Sequence, residues 1–315
     1  MLPAPLRLLR PGDWSKNAFV LIPVVFATAG GAVPTGDGEL SRLLLHTALT
    51  VLSFCAAGSG FYCVNDALDY AEDREHPVKR RRPVASGAIA PRTAAAMGVA
   101  LILAALGMAW LVRPAVLAVI GLYVALQILY NLKLKRVRFV DVATVATGFV
   151  LRAIAGALAI AVPVSIWLVV VVFSLTLFLG FVKRLADIRA VQLARERGER
   201  TEWKPRAGYD SVEDLNWLLA VTGTTTVLAY LMYALSDHAR ELFGPRAFGF
   251  ALLSPLVMAV IHRMYLRANT GMGDSPIAAM LEDRTARTAA ALFCGGVLLV
   301  LFWAPVGEKL AQIFQ

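Results

Sequence analysis

Long runs of apolar residues with almost no charge dominate this chain, and such runs admit few folds. In lipid every backbone polar group must find its partner inside the segment, so about 20 apolar residues at ~1.5 Å each read as a spanning helix. Nine runs of this kind fall at about 17–33, 43–65, 93–112, 115–132, 139–162, 165–182, 216–235, 247–266 and 287–304. Composition agrees, since 58% of the residues are hydrophobic and 17% are charged, against about 25% charged in an ordinary soluble domain. Disordered, collagen-like and nucleic-acid-binding classes are excluded by the same blocks. Three cysteines among 315 residues cannot form a disulfide framework, and His46, His76, His238 and His262 lack the spacing of metal ligands. The expected architecture is therefore all-α: one polytopic membrane helix bundle over residues 1–315 with about nine transmembrane helices.

Charge gives this bundle an expected orientation. Of the 31 Lys and Arg, 25 fall at the ends of the runs on the same side as the N-terminus, five on the opposite side, and Arg152 lies inside a run. The positive-inside rule then makes the N-terminus cytoplasmic. The larger cytoplasmic loops fall at about 66–92, 183–215 and 267–286. Pro114 and Pro163 sit in very short connections, which predicts antiparallel helix pairs there. The polar start with Trp14 argues against a cleaved signal peptide. Topology alone explains the charge bias, but not why acidic residues stand among the cations in patterned positions.

The most patterned stretch is Asn65-Asp66-Ala67-Leu68-Asp69-Tyr70-Ala71-Glu72-Asp73, at the cytoplasmic end of the second run. Asn65, Asp69 and Asp73 are spaced i, i+4, i+8, so a continuing helix would line them along one face. Carboxylates four apart repel and weaken a bare helix. A divalent cation removes that repulsion, and Mg²⁺ typically takes one or two carboxylates together with substrate phosphates. The sequel His76-Pro77-Val78-Lys79-Arg80-Arg81-Arg82-Pro83 adds four cations at once. Acids for a metal beside bases for phosphate oxygens describe a diphosphate site. The plainer readings are a solvated acidic helix end and a basic cluster for anionic lipid.

Asn65 to Asp73 with the following Lys/Arg cluster resembles the NDxxDxxxD motif of the UbiA superfamily of intramembrane prenyltransferases. That resemblance implies Mg²⁺ held at Asn65, Asp69 and Asp73, with Asp66, Lys79, Arg80 and Arg82 at the substrate. After the sixth run, where aromatic prenyltransferases carry a second acidic stretch, this chain has Gly180-Phe181-Val182-Lys183-Arg184-Leu185-Ala186-Asp187. The pattern resembles the decaprenyl-phosphate phosphoribosyltransferase branch instead. So do Arg10-Pro11-Gly12-Asp13-Trp14-Ser15-Lys16-Asn17, Arg152-Ala153-Ile154-Ala155-Gly156, and Gly273-Asp274-Ser275-Pro276 followed by Asp283-Arg284. Tyr130-Asn131-Leu132-Lys133-Leu134-Lys135 stands where the family has a Tyr/Lys motif. The resemblance implies Asp69, Asp73, Lys183 and Arg184 as catalytic. It implies Lys16, Tyr130, Lys133, Lys135, Arg152, Asp187, Asp274 and Arg284 as substrate contacts.

Residue chemistry offers a bland alternative at several of these positions. Lys183 and Asp187, four apart, could simply ion-pair. Trp14 reads equally well as an interfacial anchor and Tyr130 as a belt aromatic. Arg152 inside an apolar run is costly unless it faces a polar cavity, and Asp141 at the same run's end looks too distant to be its partner. The charged stretch from Leu193 to Asp210 reads as a solvated helical face.

Three functions compete: transfer of phosphoribose from phosphoribosyl pyrophosphate to a polyprenyl phosphate, prenylation of an aromatic or haem acceptor, and transport of an anionic lipid. A transporter should show inverted repeats and broken helices at the midplane, whereas the ionisable residues here cluster at one membrane face. Lys183-Arg184 in place of a second acidic run suits a donor and an acceptor that both carry phosphate. The expected enzyme is thus a Mg²⁺-dependent pentosyltransferase making a cell-envelope glycolipid precursor in the bacterial inner membrane, with its site facing the cytoplasm. Its expected partners are phosphoribosyl pyrophosphate, polyprenyl phosphate and the membrane, with no nucleic acid; the sequence leaves a homo-oligomer open. On this reading Asp69→Asn and Asp73→Asn should each retain less than about a tenth of wild-type turnover at saturating Mg²⁺, because a lost metal ligand costs several kcal/mol and each ~1.4 kcal/mol is tenfold. Steady-state assays on purified, inserted protein check this.

Overall fold

The computed structural model describes residues 3–33, 36, 38–75, 79–198, 208–271 and 276–303. Among them every regular element is helical: α1 (Ala4–Leu9), a 3₁₀ stretch Pro11–Val20, α2 (Leu21–Ala29), α3 (Glu39–Leu68), α4 (Tyr70–Glu75), α5 (Pro91–Val112), α6 (Pro114–Leu132), α7 (Val140–Ala159), α8 (Ile166–Glu196), α9 (Val212–Ala234), α10 (Asp237–Phe243), α11 (Ala247–Leu252), α12 (Ser254–Asn269), α13 (Pro276–Glu282) and α14 (Arg284–Phe302). Seven of these (α3, α5, α6, α7, α8, α9 and α14) are long and apolar enough to cross a bilayer. An eighth crossing results if Asp237–Leu252 and Ser254–Asn269, bent by 45° at their junction, form one span. The protein is an all-α integral membrane protein.

Two expected spans take other forms. The run at 17–33 is a 3₁₀ segment joined to the nine-residue α2. The run at 247–266 breaks at Leu253, ahead of Ser254 and Pro255 at the start of α12, where a proline is tolerated because the first-turn N–H has no helical acceptor. Conversely, α8 runs on past the apolar stretch to Glu196. The first part of the expected loop 183–215 is therefore helix, and Lys183 to Arg195 ride on it. Proline sets the α5–α6 boundary: Arg113, which precedes Pro114, is extended at φ −164°, ψ 151°, the conformation a following proline enforces.

The chain divides into two compact units. The first comprises Met1–Val25, Val33–Leu129 and Leu151–Val164. Its main seam joins α3 to α5 through glycines: a Cβ on Gly60 would lie 2.8 Å from the Gly98 carbonyl oxygen, and one on Gly98 2.7 Å from that of Gly60. Lipid tails supply no hydrophobic drive between helices, so close backbone approach through small residues does that work. Phe54, Ala57, Ala105, Ala109, Ile120, Tyr123 and Ala155 form its buried core. The end of the 3₁₀ stretch is clamped on Gly156, where a Cβ would overlap the Val20 carbonyl oxygen.

The second unit comprises Phe26–Ala32, Tyr130–Val150 and Ser165–Gln315. Phe178, Phe181, Val182 and Leu185 of α8 pack with Leu215 and Leu219 of α9 and Met264 of α12. A Cβ on Gly180 would overlap Val142, so only glycine lets α8 lie this close to the start of α7. Asp283 caps α14 by accepting from the Ala286 N–H at 2.8 Å and takes Nη2 of Arg263 at 2.6 Å. The Arg263 hydrogen bond, then the cap bond, hold its carboxyl down to about 2.

The glycine clamp yields an expected outcome. Gly156→Ala should destabilise the protein by roughly 2 kcal/mol or more, the scale of an overpacked core. Gly107→Ala on α5, where a methyl meets nothing within 4 Å, should cost nothing. Thermal unfolding in detergent compares the two.

Candidate active site

In the first unit the acidic motif does not continue as one helix. α3 ends at Leu68, Asp69 leaves helical geometry at φ −90°, ψ 5°, and α4 restarts at Tyr70. The i−4 hydrogen bonds survive the joint, from the Asp69 N–H to the Asn65 carbonyl and from the Asp73 N–H to the Asp69 carbonyl, both 2.9 Å. Burial differs among these side chains. Asp66 and Asp73 are each 2% exposed, whereas Asp69 is exposed and Asn65 half-buried. The inward pair is thus Asp66 and Asp73, which at i, i+7 share a helix face, while Asp69 at the edge of that face is exposed.

That pair is neutralised by three cations. Arg82 Nη1 lies 2.7 Å from Asp73 Oδ2 and 3.3 Å from Asp66 Oδ1, bridging the two carboxylates. Arg10 Nη2 reaches Asp66 Oδ1 at 2.6 Å and Lys79 Nζ reaches Asp73 Oδ1 at 3.5 Å. Arg10 sits in the left-handed region, at φ 50°, where α1 turns into the 3₁₀ stretch, with its guanidinium 4.4 Å from the Tyr62 ring centroid. Burying a carboxylate without such partners is prohibitive. Arg80 and Arg81 are exposed, and His76 lies outside the described residues.

The other N-terminal motif residues also dock within this unit. Trp14 Nε1 donates to Ser59 Oγ at 3.0 Å, and Lys16 pairs with Asp13. Asn17 donates to Cys55 Sγ at 3.0 Å and accepts from Arg152 Nε at 2.8 Å. Arg152 also donates to the Tyr123 hydroxyl at 3.1 Å and stacks on Phe54 and Tyr123, at 5.0 and 4.8 Å from their centroids. Its charge, 8% exposed, is thus solvated by an amide, a phenol and two ring faces, which is how a guanidinium persists inside an apolar helix.

In the second unit Arg184, not Lys183, points inward. Its Nε and Nη2 donate to Asp141 Oδ2 at 3.1 and 2.8 Å, and its Nη1 stands 3.7 Å from Asp187. Lys183 is exposed, so the expected alternative of a Lys183–Asp187 pair is not what forms. Asp141, fully buried, takes its other hydrogen bond from the Tyr209 hydroxyl at 2.8 Å. That hydroxyl accepts from the Phe139 N–H at 2.9 Å. Burial first, then the bond to Asp141, push the Tyr209 phenol well above its ordinary range, so it stays a donor. Sequence reasoning passed over Asp141 as a site residue, although a lone carboxylate opening an apolar span was a usable signal. Nothing local marked Tyr209.

The remaining expected contacts are spread out. Tyr130 and Lys135 are half-buried and Lys133 is exposed, and none of the three forms an ion pair or side-chain hydrogen bond among the described residues. Arg284 is exposed, and its neighbour Asp283 is the anchored member of that motif. Asp274 lies outside the described residues.

The donor chemistry of the first cluster suits a hard cation. Asn65, Asp69 and Asp73 offer oxygen donors only, as Mg²⁺ prefers. Among the described residues no three or more carboxylate, imidazole or thiol groups converge to hold a metal. A cation there would need phosphate oxygens to complete its shell, which is the usual way Mg²⁺ is held. The bridge makes a separate expectation. Arg82→Ala should destabilise the protein by roughly 1–3 kcal/mol, since two buried acceptors lose a charged donor. Arg81→Ala, at an exposed position, should stay within about 0.5 kcal/mol. Thermal unfolding in detergent measures both.

Comparison with known proteins follows the same lines. Residues 20–201 match the model of the UbiA prenyltransferase family. The chain is 31% identical to the decaprenyl-phosphate phosphoribosyltransferase of Corynebacterium glutamicum over 96% of its own length and 87% of that protein. It is 29% identical to the Mycobacterium tuberculosis protein of the same name, over 97% and 94%. A solved UbiA homolog from Archaeoglobus fulgidus, bound to DMAPP and Mg²⁺, superposes with a TM-score of 0.65 at 20% identity, over 95% of this chain and 99% of the other. This chain belongs to the UbiA prenyltransferase family.

Proposed function

We propose that this protein transfers 5-phosphoribose from phosphoribosyl pyrophosphate to a polyprenyl phosphate and releases pyrophosphate. The observation that carries this reading is the cationic second motif: Lys183 and Arg184 stand where aromatic prenyltransferases carry a second acidic run, within a chain that matches phosphoribosyltransferases along nearly its whole length. A prenyl donor presents one diphosphate. A phosphoribosyl donor adds a 5-phosphate, and the lipid acceptor brings another, so cations fit this pair of substrates better than acids.

In the reaction the bond from C1 of ribose to pyrophosphate breaks and a bond from C1 to the polyprenyl phosphate oxygen forms. The nucleophile is already anionic at neutral pH, so no side chain need remove a proton. Asn65, Asp69 and Asp73 would hold Mg²⁺, which when bound supplies charge neutralisation to the departing pyrophosphate. Lys79, Arg80 and Arg82 supply further positive charge to the same oxygens, with Lys16, Asp66 and Arg152 as further substrate contacts. In the second unit Lys183 and Arg184 take phosphate, with Asp187, Tyr130, Lys133, Lys135, Asp274 and Arg284 as further contacts. Fixed charge and positioning of this kind often account for most of an enzyme's rate enhancement. The site faces the cytoplasm of a bacterial inner membrane, and the product feeds cell-envelope glycolipid synthesis.

Mass spectrometry of products tests the reading, using purified protein with polyprenyl phosphate and either phosphoribosyl pyrophosphate or an isoprenoid diphosphate plus an aromatic acid. Phosphoribosyl-lipid is the expected product, and a prenylated aromatic instead would overturn the proposal. Lys183→Ala should lower kcat/KM by about ten- to a hundredfold with unchanged stability, the scale of one or two charge-assisted phosphate contacts. An unaltered kcat/KM would make Lys183 a solvated helix lysine.

A further inference from the structure

Arg184 is the one inward-turned cation of the second motif, and its orientation is set by groups outside that motif. Asp141 occupies the Nε–Nη2 edge of the guanidinium, at 3.1 and 2.8 Å. Nη1 is left with Asp187 at 3.7 Å, beyond hydrogen-bond length, and the side chain is 11% exposed. An arginine held by one edge in this way presents its remaining N–H groups in a fixed direction. A loose arginine would have to be ordered by the substrate at an entropic cost.

The holder is itself held. Asp141 lies in the first turn of α7, where the helix N-terminus favours negative charge. Its Oδ1 accepts from the Tyr209 hydroxyl at 2.8 Å. Tyr209 is 1% exposed and walled by Phe139 and Phe181, with ring centroids at 6.1 and 6.3 Å. Its hydroxyl takes the Phe139 N–H at 2.9 Å, and Phe139 adopts φ 66° there. A non-glycine residue in the left-handed region is strained, and such strain is retained only where surrounding contacts over-determine it. The Tyr209 ring also lies between two guanidinium groups, 5.8 Å from that of Arg184 and 5.6 Å from that of Arg138. Arg138 ties back to Asp214 on α9 at 2.7 Å. Three chain segments, at 138–142, 184–187 and 209–214, thus converge on one carboxylate.

We infer that Asp141 and Tyr209 are positioning residues for phosphate binding: Tyr209 orients Asp141, and Asp141 fixes the Arg184 guanidinium so that its Nη1 side, the side away from Asp141, meets a substrate phosphate. The inference rests on the proposed role of Arg184. The raised phenol keeps Tyr209 a hydrogen-bond donor throughout the working pH range.

The test uses the full-length protein in detergent or nanodiscs, with phosphoribosyl pyrophosphate and polyprenyl phosphate. Asp141→Asn leaves a buried guanidinium short of its counter-charge and can fail to fold, so Tyr209→Phe, which removes one oxygen, is the primary variant. It should raise the KM for one of the two substrates about 5- to 30-fold while kcat stays within about threefold and the melting temperature within a few degrees. In an Arg184→Ala background the same change should add less than about twofold, because the group it orients is gone. Normal KM in Tyr209→Phe, or its full effect persisting without Arg184, would overturn the inference while leaving the role of Arg184 standing. An Arg184→Ala protein with wild-type KM for both substrates would instead remove the role of Arg184, and this inference with it.

Discussion

A carboxylate withdrawn from water must meet positive charge and hydrogen-bond donors or it will not remain ionised. The chain meets this demand in the same manner in each of its two units. In the first, Asp66 and Asp73 are buried against Arg10, Lys79 and Arg82. In the second, Asp141 is buried against Arg184 with a phenol completing its shell. In both places the acid sits at one end of a helix while its cations come from other segments of the chain. The helix ends are fixed by satisfying the charges, so the functional groups are positioned by the same bonds that make their burial tolerable.

Small residues decide whether such bonds can form. Arg184 reaches Asp141 only because Gly180, one helical turn away, lets α8 lie against Val142. Gly156 stands one turn from Arg152 and admits the Val20 carbonyl, which keeps Asn17 within 2.8 Å of the guanidinium. The glycines of these motifs are spacing devices whose partners carry the charge. Arginine is favoured at both places because its planar fork can donate along two edges at once.

Much of this was legible in the sequence. Apolar runs of bilayer length gave seven helices close to their expected places, and the acid-then-base pattern at 65–82 located a cluster that does assemble. The sequence could not show that Asp69 would cap α3. Positions 66 and 73, seven apart, share a helix face, but tertiary contacts decide which part of that face packs inward, and Asn65 to Asp73 contains no glycine or proline to signal the break. Arg184 was marked in the sequence because it lies in a recognisable motif. Asp141 and Tyr209, 68 positions apart, were not, because only tertiary packing brings them together. The bend at Leu253 was not legible, because Pro255 in a first helical turn does not by itself disclose a bend.

Arg82 carries one more consequence. Its guanidinium already spends charge-assisted bonds on Asp66 and Asp73. Both bonds leave from Nη1, and neither carboxylate draws on the rest of the fork. One nitrogen does the anchoring, so the guanidinium neutralises two acids without giving up the edge by which an arginine grips a planar oxyanion.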